Sequence, residues 1–187
     1  MGIEDDPLFI AGVIGGQGTQ ESVQYYSESK DEWIDVDNMD EQHCRNALKK
    51  IIRKYIAKET DAVQRYFDAW NSHDTSKILD SLTSDGTYSD PVGGNNLSGS
   101  NYEDYANSLF NAFPDLSLEL ISNNLASNGF VAAPWLLFGT HKGPVGDFAP
   151  TNNKIILPGC DFITVKDGKV QNVIGYFDPE YLFNQLK

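Results

Sequence analysis

The order of patterns along this chain predicts an α+β fold, helices first and a long-stranded antiparallel sheet last. Three observations carry that prediction. Over residues 39–113 apolar side chains recur three and four apart, as on helices. From residue 117 onward apolar and polar side chains alternate in long runs broken by turn residues, as in strands. The 187 residues, 40% hydrophobic and 12% aromatic, suffice for one good core with an appendage.

Gly12, Gly15, Gly16 and Gly18 open the chain among small and apolar residues. The segment lacks the Lys-Ser/Thr of a phosphate loop and the strand-then-helix setting of a dinucleotide site, so a flexible arm or edge strand is expected. Two β-like runs, 22–27 and 32–36, flank a polar stretch and predict a hairpin. Asp37 or Asn38 then caps a helix over residues 39–58, with Cys44, Ala47, Leu48, Ile51 and Tyr55 at helical spacing. A second helix is expected from a Thr60 cap, with Val63, Tyr66, Phe67 and Trp70 on one stripe. Ile78, Leu79 and Leu82 mark a short helix. The sequence Ser100-Asn101-Tyr102-Glu103 reads as a capping box opening a helix that Pro114 stops. Strands follow over about 117–125, 129–140, 154–166 and 169–178, with Asn123-Asn124, Ser127-Asn128-Gly129 and Asp167-Gly168 as turns. Three helices against such a sheet leave a cone-shaped pocket. The expected division is an N-terminal extension over 1–58 and a main domain over 59–187.

The formal net charge of −13 excludes nucleic acid as an expected partner, because a phosphate backbone would be repelled by most of this surface. Seven of the fourteen basic residues, Arg45, Lys49, Lys50, Arg53, Lys54, Lys58 and Arg65, fall on the predicted helical stretch and read as a solvated face. Two cysteines, Cys44 and Cys160, are too few for a disulfide framework, and neither they nor the histidines have metal-type spacing, so no metal is expected. The acidic start and the lack of an apolar run near ~18 residues predict a cytoplasmic protein with no membrane partner.

One carboxylate breaks its strand's pattern. At period two, Ile155, Leu157, Gly159, Asp161, Ile163 and Val165 share a face, so Asp161 points where apolar residues belong. Burying it there costs several kcal/mol unless it is paired or protonated. The bland accounts are a satisfied hydrogen bond, or an outward orientation, since both faces of this strand are fairly apolar. On the preceding strand Val131, Ala133, Trp135, Leu137, Gly139 and His141 alternate onto one face, which puts His141 with Trp135 near a pocket wall. On the last strand Val170, Asn172, Ile174, Tyr176 and Asp178 share a face that reads as a pocket lining or a polar exterior. Asp90-Pro91 is also an ordinary turn signature.

Several spaced elements together resemble the SnoaL-like polyketide cyclase branch of the NTF2-like superfamily over residues 59–187. They are the helix ending in Asn71-Ser72-His73-Asp74, the segment Tyr88-Ser89-Asp90-Pro91, the helix end Ala112-Phe113-Pro114-Asp115, Gly139-Thr140-His141, Asp161, the Asp167-Gly168 turn and the closing Phe177-Asp178. The resemblance implies a cone-shaped pocket, Asp161 as general acid/base, His141 lining the same pocket, and Tyr88 and Asp90 near its mouth. It also implies pairing of convex sheet faces, hence a homodimer. Arginine-bridged carboxylates, as in NTF2-like epoxide hydrolases, are disfavoured because the three arginines all lie at or before residue 65. The expected function is cofactor-independent acid/base chemistry of cyclase, isomerase or dehydratase type on a small apolar carbonyl compound. Asp161 and His141 are the catalytic candidates; Trp135, Tyr176, Asn172, Tyr88, Asp90 and Trp70 are the substrate-binding ones. The alternative is a non-catalytic ligand-binding or dimerisation module on the same fold.

Overall fold

The computed structural model describes residues 9–10, 24–27, 32–35, 39–125 and 130–187. The backbone divides into two compact units, 1–56 and 57–187. In the first unit β1 (Phe9–Ile10), β2 (Gln24–Ser27) and β3 (Glu32–Asp35) form a three-stranded antiparallel sheet. The expected hairpin is present, with Gln24 opposite Asp35 and Ser27 opposite Glu32. The four glycines and the cap expected at Asp37 or Asn38 lie outside the described residues.

The two helices expected on either side of Glu59 are one helix, α1 (Glu41–Asn71). No glycine or proline interrupts its 31 residues, so nothing in the sequence breaks the hydrogen-bond ladder. Thr60 is therefore interior and not a cap: its hydroxyl donates back to the Ala57 carbonyl at 3.2 Å. The stripe expected on its C-terminal half is buried as Val63, Tyr66, Phe67 and Trp70. Asn71 fixes the helix end to the sheet, donating to the Leu118 carbonyl and accepting from the Leu118 N–H.

Asp74 caps the short α2 (Thr75–Ser81) by accepting the Ser76 N–H. The chain then enters the sheet as β4 (Leu82–Asp90) and β5 (Gly94–Leu97). The α3 helix (Gly99–Ala112) starts at Ser98 with no side-chain cap, so the expected capping box does not form. Glu103 instead accepts from the Thr75 hydroxyl on α2. Next come β6 (Ser117–Leu120), β7 (Asn124–Leu125), β8 (Phe130–Thr140), β9 (Lys154–Lys166) and β10 (Lys169–Phe177). A last helix, α4 (Pro179–Gln185), unanticipated from sequence, is capped by Asp178, which accepts the Glu180 and Tyr181 N–H groups.

The sheet runs β5-β4-β10-β9-β8-β6, with β7 also on β8. Its later strands form the expected antiparallel meander. The β4–β10 pairing is parallel, which makes the sheet mixed where an all-antiparallel one was expected. The cause is topological: α3 carries the chain from β4 to the far edge, and β10 meets β4 only after the meander has returned. The core lies on the inner face, where Val63, Phe67, Ile78 and Tyr102 meet Val131, Ile163 and Val173. No helix among the described residues is long and apolar enough to cross a membrane.

A β-bulge between Val170 and Asn172 determines which side chains of β10 point inward. Because strand side chains alternate, one extra residue reverses the parity beyond it. Val170 faces in, and after the bulge Val173 and Gly175 are buried while Tyr176 is 57% exposed.

Candidate active site

Asp161 lies on the buried face of β9 expected for it, between Leu157 and Ile163, and is 6% exposed. It stands opposite Ala133 on β8, whose small side chain leaves room above it. Trp135, two residues along, stands opposite Gly159, where any Cβ would lie 2.3 Å from the indole ring. The missing side chain at Gly159 lets the indole lie across the strand and donate its Nε1–H to Asp161 Oδ1 at 2.8 Å. That is the sole hydrogen bond to the carboxyl group from the described residues; Oδ2 has none. Burial pushes the Asp161 pKa up to about 7; the Trp135 hydrogen bond opposes this and the negative charge of Asp90 adds to it.

Asp90 is the second acid. It ends β4 two residues after Tyr88, so the two share the inner face. Its Oδ1 accepts the Val92 and Gly93 N–H groups of the following turn, at 2.7 and 2.5 Å. Its Oδ2 accepts the Tyr88 and Tyr105 hydroxyls, at 2.7 and 2.5 Å. Gly175 of β10 separates the two acids: a Cβ there would lie 3.1 Å from Asp161 Oδ1 and 3.4 Å from the Asp90 Cβ. No side chain is interposed, so the carboxylates feel each other through a low-dielectric gap.

A third group emerges from hydrogen-bond accounting. The Tyr102 hydroxyl accepts the Trp70 Nε1–H at 3.2 Å and lies 2.6 Å from the Tyr66 hydroxyl. Both tyrosines are at most 1% exposed. Either hydroxyl can donate to the other; in the arrangement that runs Trp70 to Tyr102 to Tyr66, the Tyr102 proton lies on the Tyr66 oxygen. The Tyr66 proton is then left to donate elsewhere, and Tyr66 lines the cavity while Tyr102 stands behind it. Burial holds the Tyr66 phenol well above its ordinary pKa, so it remains a donor at neutral pH.

These groups surround a cavity of about 70 Å³ walled otherwise by aromatic and aliphatic side chains, among them Trp70, Phe113, Phe177 and Leu182. A polycyclic ligand enters such a space only if wall side chains swing outward. Of the residues expected here from sequence, Asp161, Trp135, Tyr88, Asp90 and Trp70 come together. Among the described residues no group of three or more His, Cys, Asp or Glu side chains is placed to hold a metal.

Three expected residues stand elsewhere. His141 is fully buried, but beside Phe113 and Thr151, where its Nδ1 lies 3.0 Å from the Thr151 hydroxyl and its Nε2 has no partner. It shares the inner face yet lies eight residues beyond Ala133, the residue opposite Asp161, about 26 Å at strand rise. His141 therefore does not line the cavity with Asp161 as expected, and the hydrogen bond to Asp161 comes from the Trp135 indole. Tyr176 projects from the opposite face of the sheet, packed edge-on against Phe162. Asn172 sits at the bulge, where its amide donates to the Thr87 hydroxyl on the neighbouring strand. The bulge explains Tyr176, since it puts Phe177, not Tyr176, on the inner face. Tyr105 and Phe177 line the cavity and were passed over in the sequence, while Tyr66, read first as a core residue of its stripe, lines it too; Tyr66 and Tyr105 carried a visible signal, as hydroxyl-bearing members of buried helical stripes.

A curved mixed sheet closed by helices over an acid-bearing apolar cavity is the architecture of the NTF2-like, ketosteroid isomerase-like class. Within that class the chain belongs to the SnoaL-like polyketide cyclase family, which residues 60–186 match. No curated protein matches the chain. Among solved structures, AclR from Streptomyces galilaeus, assigned as a hydroxylase, is 24% identical, with a TM-score of 0.62, covering 70% of this chain and 82% of its own. A protein from Jannaschia sp. CCS1, assigned as a SnoaL-like polyketide cyclase, is 18% identical, with a TM-score of 0.62, covering 70% and 92%. A ketosteroid isomerase-like protein from Catenulispora acidiphila DSM 44928, solved with trimethylamine, is 17% identical, with a TM-score of 0.57, covering 66% and 90%.

Proposed function

We propose that this protein is a cofactor-independent acid/base enzyme acting on a small carbonyl compound, with Asp161 as proton acceptor and Tyr66 as the donor to the carbonyl oxygen. The observation that carries this reading is a buried carboxylate with one oxygen unpartnered in an apolar cavity and its pKa raised to about 7. A base poised near the working pH combines a usable ionised fraction with strong proton affinity. Asp161 takes the proton from the carbon next to the carbonyl, the C–H electron pair moves into the new C=C bond, and the C=O pair moves to oxygen. The Tyr66 O–H, polarised by the chain from Trp70 through Tyr102, stabilises the resulting enolate. In ring closure the enolate carbon attacks a second carbonyl and Asp161 returns its proton to the new alkoxide. In isomerisation the proton returns to another carbon, and in dehydration it leaves with a hydroxyl as water. Trp135 keeps Asp161 oriented throughout.

The test is deuterium uptake at the α-carbon of a panel of 1,3-dicarbonyl compounds in D₂O, followed by mass spectrometry. The wild-type protein is expected to accelerate exchange at least tenfold over buffer, with a rate rising through pH ~7 as Asp161 ionises. Asp161→Asn is expected to lose the acceleration. Absence of acceleration by the wild type, or equal acceleration by Asp161→Asn, sinks the enzymatic reading and leaves a ligand-binding module.

A further inference from the structure

Among the described residues that line the cavity there are two carboxylates and no lysine, arginine or histidine. The four donors on Asp90 are neutral hydroxyls and backbone N–H groups, which solvate its charge without cancelling it. Asp161 has one neutral donor and an unpartnered Oδ2, although the residue is 94% buried. Negative charge enclosed among rings, with no cation to balance it, is an uncompensated arrangement that a ligand can complete. The aromatic walls favour the same kind of ligand, since ring faces attract cations, most strongly where water is excluded. Gly175 brings the two acids close: even a Cβ there would lie 3.1 Å from Asp161 Oδ1 and 3.4 Å from the Asp90 Cβ, and both acids line the cavity.

We propose that the ligand carries a cationic amine, seated in the cavity beside Asp161 and Asp90 and faced by Trp135, Tyr88 and Tyr105. This inference rests on the cavity being the ligand site, as in the proposed function, and narrows the substrate class to amine-bearing compounds. An anionic ligand adds to the negative charge of Asp90 beside Asp161, and a neutral one leaves in place the repulsion that helps keep a proton on Asp161. The ammonium relieves it. The titratable groups facing Asp161 are Asp90 and Tyr88 from β4, Tyr66 from α1 and Tyr102 from α3, with Cys160 its neighbour in the chain. None is a cation, so a bound cation shifts Asp161 toward its ionised form and binding near neutral pH releases a proton.

Three probes of one shape and different charge test this on the full chain: choline, its uncharged isostere 3,3-dimethyl-1-butanol, and the anion 3,3-dimethylbutanoate. Binding is read from the Trp135 indole N–H resonance in NMR, which adjoins Asp161 and so reports its protonation as well. At pH 7 choline is expected to bind at least tenfold more tightly than the alcohol, the anion not at all, and choline alone to move the Asp161 titration midpoint downward. The tenfold preference is expected to shrink in Asp161→Asn and in Asp90→Asn. Asp161→Asn keeps the side-chain volume, so a folding defect in Asp90→Asn does not remove the test. Equal binding of choline and alcohol, no binding of any probe, or an unchanged choline preference in Asp161→Asn overturns the proposal. Carbonyl-dependent deuterium exchange surviving alongside such a result would leave the proposed enzymatic function standing and remove the amine.

Discussion

Replacing Asp161 by asparagine removes an ionisable group and keeps the shape of the side chain, so its effect on stability isolates what burying the charge costs. The ordinary Asp value of 3.8 stands for the unfolded chain, and burial raises it to about 7 in the fold. The native state therefore holds a proton that the unfolded state has lost between those values. The associated stability is fully present below pH 3.8 and is lost as pH rises through 7. A shift of roughly three units at 1.36 kcal/mol each makes the total about 4 kcal/mol, of which about 2.5 kcal/mol falls between pH 5 and pH 8.5. At 6% exposure, solvent screening removes little of it. The amide can still accept the Trp135 N–H, so whatever Asp161→Asn does to packing is the same at every pH. Urea unfolding of both proteins across that range, followed by tryptophan fluorescence, should show the variant gaining about 2.5 kcal/mol relative to wild type toward high pH. A stability difference that stays flat from pH 5 to 8.5 would refute the burial of an ionised Asp161 and the base assignment with it.

Gly159→Ala should displace the Trp135 indole, because the new Cβ would lie 2.3 Å from its ring. The expected cost is ~2–3 kcal/mol by thermal or urea unfolding, with loss of the Trp135-to-Asp161 hydrogen bond visible in the indole resonance; an unchanged resonance would mean the strand yields instead. We propose that the chain dimerises through the outer sheet face, where Phe130, Phe162, Ile174 and Tyr176 line a shallow groove and Phe162 and Tyr176 are exposed. Light scattering at micromolar concentration should give twice 20.8 kDa for the wild type and a monomer for Phe162→Glu; a wild-type monomer rejects the interface. We also propose that residues 1–58 are separable: a chain begun at Glu59 should stay soluble and melt cooperatively by circular dichroism. Aggregation of that chain would place part of the extension in the core.

The inward-facing Asp161, the stripe Val63, Tyr66, Phe67 and Trp70, and the span of β9 were legible in the sequence. Each depends on a short-range period, 2 for strands and 3.6 for helices, that the local chain states without help from its surroundings. Where the local signal is ambiguous, reading failed. Both faces of β10 offer plausible residues, so the bulge after Val170 had no visible cause and the parity reversal exchanged Tyr176 for Phe177. Thr60 and Ser100 have the chemistry of caps, but an uninterrupted helix and a Thr75 partner for Glu103 take precedence over it. His141 lies on the inner face as its alternation requires, and face alone says nothing of distance along a strand.

The sequence by itself determined the fold class, the family and the acid that points inward, because these are carried by patterns and by residue order. The tertiary structure decided what that acid meets. The Trp135 indole over Gly159, the Asp90 carboxylate across Gly175 and the Tyr66–Tyr102 hydroxyl pair 36 residues apart are contacts between distant segments. Contacts of that kind follow from register, topology and the space left by missing side chains, which the folded chain alone sets.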